Sequence, residues 1–516
     1  MKTQSLKTNK YLWLSITLII GFLILSFRLT ASGLWYDECV EYYFSKKLTG
    51  TTPGFPQYHS MYERITATGQ PPLFNVLMFI WVNISSSEIW LRLAGVFTTL
   101  LGGAGLFFYC SKKNNFLFAT ALTITYLSAF PIRYFALEIA EYNLMCTNLL
   151  LMLLSFLAYV EYRKRPFLFV FFVFAILSAY SQYGSVFVVA AFTVLLFFFI
   201  VFSQKKDFIP FIVTGVATLI FAVYPLIRFF LIPQMEHQGS KDTDHTFEIR
   251  NSIVKDFLSA IQETFKYLFL RDQPYIGKLF LFLLTIGILC LIIIYIFKTR
   301  STHFLLYFLG CILSFLLYYL FVKTKYYGMV FVGGNFGNHW ALMLAVVFLL
   351  LVMLTLLETF HFYPKTVSII LCMFLLMHGY SLFTVNWTKE NMRELVNQVI
   401  SWNTANNPIV LTYTEIIPFY YYTLNSEIHT SSLDLWTYHC ENISDESIKN
   451  NLVKDFDGKI PSSFILIAGT EDTPESILNV LSSMGYHYET IAAPETVKNN
   501  LADMPMKSFA YQVSLY

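Results

Sequence analysis

Long runs of apolar residues follow one another through the first 385 positions of the chain, separated by short polar segments. Many of these runs hold about 20 residues, enough at 1.5 Å per residue to cross a hydrocarbon layer of roughly 30 Å. The pattern predicts eleven spans, at residues 11–30, 89–110, 116–132, 142–160, 166–182, 184–203, 208–232, 276–297, 304–322, 339–357 and 366–385. We therefore expect a polytopic α-helical membrane protein.

Lysine and arginine are unevenly distributed among the loops that join these spans. With the N-terminus inside, every inner loop is short and basic, with Lys112 and Lys113, residues 163–165, Lys205 and Lys206, Lys298 and Arg300, and Lys365. Short basic loops stay on the cytoplasmic side of a membrane. The charge pattern thus predicts a protein of the cytoplasmic membrane, with its N-terminus inside and its C-terminus outside. The first apolar run lacks a small-residue cleavage site, so we expect it to be retained as an anchor.

One apolar stretch, from Pro71 to Ile84, does not fit this alternation. About 13 residues of helix cover only ~20 Å, which is short for a span. Counting it as a span would also place every later basic loop outside. We expect a short embedded or re-entrant helix on the outer side, with the proline pair in its first turn.

The composition changes after Val385. Met392, Leu395, Val396, Val399 and Ile400 recur at helical spacing. Residues 408–413 and 464–469 are typical of buried strands, and residues 473–484 of a helix. We predict a transmembrane catalytic domain over residues 1–385, with an outer loop at 30–88, and a soluble extracytoplasmic α/β domain over 386–516. The second domain carries no recognisable catalytic motif, which favours a structural or acceptor-docking role.

Composition limits the class of protein. Hydrophobic residues make up 56% of the chain and the mean hydropathy is +0.55, which excludes a soluble enzyme. The seven cysteines lie far apart, so neither a disulfide framework nor a metal-ligand spacing is visible. The acidic residues of the first loop leave a role for a divalent metal open.

The first outer loop opens with an unusual stretch, residues 34–44, in which three carboxylates stand beside aromatic rings. Read as a helix, it puts Asp37 and Glu41 one turn apart, away from an apolar face of Tyr36, Val40, Tyr43 and Phe44. Such a helix lies in the membrane interface, where its acidic face can meet a lipid phosphate or a lipid-linked substrate.

Four polar clusters fall on the predicted outer side: Asp37 with Glu38 and Glu41, residues 70–72, residues 133–142 and residues 335–340. Polar side chains are costly within a bilayer and mark functional sites in membrane proteins. Their gathering at one level predicts a site there.

Together these clusters resemble the membrane glycosyltransferases of the GT-C superfamily, above all the branch with protein O-mannosyltransferases and lipid A aminoarabinose transferases. The Asp-Glu pair that follows the first span in that family is matched by residues 35–38, and its proline-pair motif by residues 70–74. Residues 88–93 match its Arg-Leu span, and Glu138 with Tyr142 match its Glu and Tyr hairpin. The likeness covers residues 11–185.

Four places depart from the family pattern, one of them at the end of the fifth span, where residues 180–183 read Tyr-Ser-Gln-Tyr instead of Tyr-Thr-His-Tyr. The usual arginine of the hairpin is Ala140, although Arg133 lies nearby. Gln70 replaces the histidine or lysine before the proline pair, and Asn338-His339-Trp340 stands where the family has Arg-Tyr. We therefore expect an altered site for the donor phosphate.

The resemblance implies transfer of a sugar from a polyprenyl phosphate to an acceptor hydroxyl on the outer face, with inversion. A hydroxyl is a poor nucleophile near neutral pH, so a carboxylate must take its proton. We expect Asp37 to be that base and Glu38 to position the acceptor. The leaving phosphate needs cations or hydrogen-bond donors. The expected donor-side residues are Arg133, Glu138, Tyr142, His339 and Gln70.

Two other readings stay open. A lipid or solute transporter would place its polar residues near mid-membrane and show internal repeats. A non-catalytic relative would bind lipid-linked sugar without turnover, in keeping with the missing donor-side cations. Under the leading reading the partners are membrane lipid, the donor and an acceptor glycan, lipid or protein; nucleic acid is not expected.

Overall fold

A computed structural model gives the fold. It describes residues 9–31, 33–46, 60–68, 70–238, 275–299, 301–323, 342–384, 392–403, 407–423, 430–432, 446, 449–450, 452–453, 456, 460–469, 474–492 and 508–515. The chain forms two compact units. The first takes Met1–Leu29, Ser60–Trp81 and Trp90–Val385, and the second takes Thr30–His59, Val82–Ile89 and Asn386–Tyr516.

Helices make up the described part of the first unit. Its earlier helices are α1 (Lys10–Ser26), α3 (Met61–Thr68), α4 (Pro72–Val82), α5 (Glu88–Cys110), α6 (Phe116–Ser128), α7 (Phe130–Ala136), α8 (Tyr142–Tyr162), α9 (Arg165–Ser181) and α10 (Ser185–Ser203). The later ones are α11 (Phe208–Thr218), α12 (Ile232–Gln238), α13 (Tyr275–Thr299), α14 (Thr302–Lys323), α15 (Leu342–Thr359) and α16 (Pro364–Thr384). Two π-helical stretches, Leu219–Val223 and Leu226–Leu231, flank Pro225 between α11 and α12.

Local sequence explains where several of these helices begin and end. Asn9 and Asn115 accept hydrogen bonds from the backbone N–H groups three residues on, which caps α1 and α6. Arg163 ends α8 in the left-handed region, at φ 55°, and Pro166 lies in the first turn of α9. Residues 163–166 therefore determine the tight turn between α8 and α9.

Among the residues that the structure describes, seven helical segments are long and apolar enough to cross a membrane: Glu88–Cys110, Tyr142–Tyr162, Ser185–Ser203, Lys205–Gln234, Thr302–Leu320, Leu342–Thr359 and Pro364–Thr384. The bent pair α6 and α7, which meet at 66°, makes an eighth if it forms one span. Shorter apolar helices at Lys10–Ser26, Arg165–Ser181 and Thr285–Lys298 fall on the three other predicted spans. The polytopic helical fold is thus confirmed. Each of the eleven predicted spans falls on helical residues, and within the described part of the chain seven or eight of them are long and apolar enough to cross a membrane.

The short stretch after the proline pair is also helical, as α4. Its buried face carries Phe74, Asn75, Met78 and Val82. Trp81, near its end, stacks on Trp90 of α5 with ring centroids 4.2 Å apart. Proline at the first position of α4 fits the expected start of this helix.

In the described part of the second unit, five strands form one sheet. Its strands are β1 (Ile409–Leu411), β2 (Thr430–Ser432), β3 (Ser463–Gly469), β4 (Tyr486–Ala492) and β5 (Ser508–Leu515). They lie in the order β2-β1-β3-β5-β4; the first three are parallel, and β5 is antiparallel to both β3 and β4. Helices α2 (Tyr36–Ser45), α17 (Met392–Trp402), α18 (Tyr413–Thr423) and α19 (Pro474–Ser483) complete the unit.

Helices cover both faces of this sheet. Alternate residues of β3 point to opposite sides, so Phe464, Leu466 and Ala468 pack with apolar residues of α19. Ile465 and Ile467 pack on the other side with α17 and α18. The central strand is therefore buried on both faces, which explains its continuous apolar sequence. Assignment of residues 1–385 and 386–516 to two domains stays a prediction.

Candidate active site

The acidic helix α2, in the second unit, exposes one of its three carboxylates. Asp37 lies in the first turn with its side chain exposed, whereas Glu38 and Glu41 are 3% and 5% exposed. The Glu38 carboxylate turns back and accepts a hydrogen bond from the backbone N–H of Trp35, at 3.3 Å. Glu38 thereby closes the start of its own helix, as the acidic residue of a capping box does.

The buried face of α2 differs from the predicted one. Cys39, Tyr42 and Tyr43 are almost fully buried, whereas Tyr36 and Val40 are only half-buried. Glu38 and Glu41 are buried on the same side. Asp37 is left at the exposed N-terminal end, where the helix dipole favours a negative charge.

Arg133 lies in the first unit, on the short helix α7, and is 1% exposed. Its Nη2 donates to the hydroxyl of Ser381 on α16, at 2.8 Å. His378, one turn earlier on α16, is buried as well. A guanidinium cannot lose its proton in a protein, so the structure keeps a full positive charge among these helices.

Two further predicted residues flank α7. Glu138 follows the helix and is 9% exposed; its backbone N–H donates to the carbonyl of Phe135 at 3.3 Å. Tyr142 begins α8 with its ring 5.1 Å from that of Phe135, edge to face. The turn between α7 and α8 thus brings the predicted hairpin residues close to one another.

Helix α5 packs closely against this turn. A Cβ atom on Gly95 would collide with the carbonyl oxygen of Ala136 and lie 2.6 Å from the amide nitrogen of Asn143. Asn143 donates to the hydroxyl of Thr98 at 3.0 Å, and Thr147 donates to the carbonyl of Thr98, also at 3.0 Å. Glycine at position 95 therefore lets the backbone of α5 reach the hairpin.

Gln70 is held through its backbone. Gln234, at the start of α12, donates to the carbonyls of Gln70 at 2.7 Å and of Ile65 at 3.0 Å. The hydroxyl of Tyr183 donates to the side-chain oxygen of Gln234 at 2.7 Å. The start of α4 is thus tied to α12 and to the α9–α10 turn.

The predicted site residues are divided between the two units. Asp37 and Glu38 belong to the second unit, and Gln70, Arg133, Glu138 and Tyr142 to the first. His339 lies outside the described residues. No group of three or more His, Cys, Asp or Glu within the described segments is placed to hold a metal.

Sequence reasoning missed several polar residues that the fold brings to these positions. Ser381 and His378 lie on α16, Asn143 on α8, and Gln234 beyond the π-helical stretch. Each interrupts an apolar segment within about three turns of its end. A polar residue inside an apolar span was the sequence signal that could have identified these positions. That signal does not reveal which residues they contact.

Two solved structures of ArnT from Cupriavidus metallidurans match the chain. The form bound to undecaprenyl phosphate gives a TM-score of 0.55 at 10% identity and covers 97% of each chain. The apo form gives 0.53 at 11% identity, again over 97% of each chain. The chain has the ArnT fold. This confirms, for the fold, the GT-C resemblance carried by the sequence motifs.

The match extends well beyond the motifs, which cover residues 11–185 only. At 97% coverage the ArnT structures include counterparts of both units of this chain. Neither a protein-family model nor a curated protein sequence matches the chain. The likeness is therefore one of fold, with most of the sequence changed.

Proposed function

We propose that this protein is a membrane glycosyltransferase that moves a sugar from a polyprenyl-phosphate donor to an acceptor hydroxyl. The observation that carries the proposal is the ArnT fold over 97% of the chain, since one of the matching structures is bound to undecaprenyl phosphate. The acceptor is a glycan, a lipid or a protein. The motif residues of the acidic helix and of the hairpin fall within this fold and supply the chemistry that the reaction needs.

Asp37 is the proposed general base. The acceptor hydroxyl must lose its proton as the new glycosidic bond forms, and a carboxylate within hydrogen-bond reach accepts it. Asp37 is the exposed carboxylate of α2, which supports this role, whereas Glu38 is buried and bonded to its own helix. Glu38 therefore acts by fixing the first turn. Direct attack with one base inverts the configuration at the sugar carbon.

Arg133 is the proposed partner of the donor phosphate. The leaving phosphate gains negative charge as the sugar departs, and a guanidinium matches its oxygens with two parallel donors. Burial of Arg133 and its bond to Ser381 support this role, because a fixed charge in an apolar setting acts more strongly than one in water. Glu138, Tyr142, Gln70 and His339 complete the proposed donor side.

The proposed location is the cytoplasmic membrane, with the N-terminus inside and residues 386–516 as an extracytoplasmic domain. The basic loops at alternate helix ends support this orientation. A polyprenyl-phosphate donor in the outer leaflet is then accessible from the side on which the first loop lies.

The test is turnover of polyprenyl-phosphate sugars by the purified protein in lipid nanodiscs. We expect slow hydrolysis or transfer, which Asp37→Asn lowers by about 10³-fold while donor binding is kept. Glu475→Gln is the matched control, an exposed carboxylate on α19, and keeps full activity. Measurement before and after chelation decides whether a divalent metal takes part.

Three results would count against the proposal. Full activity of a folded Asp37→Asn protein would remove Asp37 as the base. Donor binding without turnover over a broad acceptor panel would favour a non-catalytic role. Absence of binding by any polyprenyl-phosphate sugar, together with movement of lipid or solute across the membrane, would favour a transporter.

A further inference from the structure

The segment that leads into the acidic helix α2 is held by a tyrosine far along the chain. The backbone N–H of Leu34 donates to the hydroxyl of Tyr422, on α18, at 2.5 Å. Leu34 is fully buried, so this N–H cannot turn to water. At the preceding residue, a Cβ on Gly33 would lie 2.8 Å from the same hydroxyl and 3.0 Å from Cβ of Arg393. The segment and the two side chains are thus packed without spare room.

Arg393, on α17, joins two separate segments of the second unit. Its Nη1 donates to the carboxylate of Glu88 at 3.0 Å, and its Nη2 donates to the carbonyl of Thr30 at 3.2 Å. It also pairs with its neighbour Glu394 at 3.0 Å. The guanidinium of Arg393 therefore holds Thr30, which precedes the acidic helix, and Glu88, the first residue of α5. Its planar set of N–H donors can bond to both residues at once.

Tyr422 and Arg393 belong to one network. Burial, and after it the nearby Glu88 carboxylate, to which Tyr422 hydrogen-bonds, raise the pKa of the Tyr422 hydroxyl. The hydroxyl therefore stays protonated and donates towards Glu88 while it accepts from Leu34. Arg393 closes the network from the other side of Glu88.

The acidic helix itself packs on the same support. The rings of Tyr42 on α2 and Tyr421 on α18 meet edge to face, with centroids 5.1 Å apart. The hydroxyl of Tyr421 donates to the carbonyl of Ser86 at 2.7 Å. Helix α18 is in turn fixed to the sheet, because Ile416 and Phe419 lie in the core with β1 and β3.

We propose that Arg393 and Tyr422 are positioning residues, which hold α2 so that Asp37 keeps its working place. The inference rests on the proposed function, and it gives the C-terminal sheet a part in the reaction without a catalytic group of its own. A misplacement of about 1 Å lowers the rate of an aligned reaction by roughly 100-fold. Loss of either residue should therefore lower kcat, while the affinity for the donor stays the same.

Hydrogen exchange tests the structural part without any activity measurement. In Tyr422→Phe the Leu34 N–H loses its acceptor, so we expect faster exchange at Leu34, measured in a peptide that begins at residue 31 or earlier and ends at residue 39. Exchange in β3 should stay as slow as in the wild type, which shows that the sheet is intact. Tyr488→Phe, the same change at an exposed position of β4, should leave residues 33–39 unaffected. Equal exchange in Tyr422→Phe and wild type would overturn the inference.

Kinetics test the positioning part. We expect Tyr422→Phe and Arg393→Gln to lower kcat by 10- to 100-fold with an unchanged Kd for the polyprenyl-phosphate sugar. Arg393→Lys keeps the charge beside Glu88, so its kcat should lie between that of Arg393→Gln and that of the wild type. This comparison tests the inference even if Tyr422→Phe folds poorly. If wild type turns over and both variants keep its kcat, the inference is wrong. If the wild type does not turn over any donor but hydrogen exchange changes as expected, the proposed function is wrong. The inference that Tyr422 holds the segment before α2 is then still supported.

Discussion

The two ends of the helical unit solve the problem of charge in different ways. At the end that carries the basic loops, here called the basic end, Lys113 lies 2.8 Å from Glu161 and 2.5 Å from Glu358. His303 contacts the same Glu358 oxygen at 3.0 Å. Tyr295 donates to the other oxygen at 2.9 Å. Groups from four helices and from the turn between α5 and α6 thus satisfy one another directly.

At the opposite end, which carries the α7–α8 turn and is here called the hairpin end, the connections described above run through neutral groups. Arg133 donates to a hydroxyl, and Asn143 donates to Thr98. Asn148 donates to Ser181 at 3.1 Å. Buried amide atoms without a partner in the described part of the chain occur outside this turn, at Asn114 Nδ2 beside Lys113 and at both polar atoms of Asn75 on α4, which is 4% exposed.

The two ends differ in the partners of their buried polar groups, and these partners affect the stability of the fold. Buried polar groups nearly always have partners, and an amide without one costs free energy in the unliganded protein. The basic end has the character of a structural clamp. The hairpin end, by contrast, is joined through hydroxyl and amide groups.

The largest expected effect is at the basic end. Glu358→Gln leaves Lys113 with one carboxylate fewer, and breaking a buried ion pair costs about 3–5 kcal/mol. We expect a lower free energy of unfolding in nanodiscs, with unchanged donor affinity. The triple variant Lys113→Met, Glu161→Gln and Glu358→Leu should recover part of the loss, because none of the three positions then carries an unmatched charge. A Glu358→Gln protein as stable as wild type would show that the cluster is not a clamp.

The next effect is at the hairpin end and concerns binding. Arg133→Gln should weaken the binding of polyprenyl phosphate by roughly 100-fold, since charge-assisted hydrogen bonds to the phosphate are lost. Ser381→Ala, which removes only the neutral partner, should weaken it by about 10-fold at most. Titration of both variants with the lipid phosphate measures the difference. Equal affinity of Arg133→Gln and wild type would exclude Arg133 from the donor site.

A third variant tests the close approach behind the hairpin. Gly95→Ala adds a methyl group against the Ala136 carbonyl and should lower the free energy of unfolding by about 1–3 kcal/mol. Gly379→Ala on α16 is the matched control, because nothing lies within 4 Å of its Cβ position. The control should be neutral or slightly stabilising, as expected for glycine replaced in a helix. Similar stability of both variants would contradict the tight contact.

The smallest effect has the opposite sign. Asn75→Leu removes an amide without a partner and should raise the free energy of unfolding by about 1 kcal/mol in the absence of ligand. Asn143→Leu, in which the lost amide was bonded to Thr98, should instead lower it. If the hairpin end is built for the donor, Asn75→Leu will also reduce the rise in Tm that the donor causes. A Tm rise equal to that of wild type would mean that Asn75 does not meet the donor.

Sequence patterns predicted the second unit less completely than the first. Met392, Leu395, Val396 and Val399 are buried as the helical period predicts, but Ile400 is 43% exposed. The strand predicted at 408–413 ends at Leu411, and helix α18 begins at Tyr413. A run of tyrosines with Pro418 inside gives no helical signal, so packing on the sheet, on α2 and on α17 stabilises this helix.

Motifs identified the candidate residues more readily than their partners. The order of the motifs pointed to Asp37, Arg133, Glu138 and Tyr142, and the fold confirms the resemblance on which they rest. Their roles stay predictions. Ser381 is 248 positions from Arg133 in the chain, and no local pattern joins two such distant residues.

The sequence by itself determined the positions of the apolar helices, the basic loops between them and the strand–helix composition of the C-terminal part. These features depend on hydropathy, charge and periodicity within a few turns of chain. Only the tertiary structure decided that Asp37 rather than Glu38 is exposed and that Leu34 rests on Tyr422, 388 positions away. The reason is physical: burial of a side chain depends on what packs against it, and for α2 those groups come from the far end of the chain.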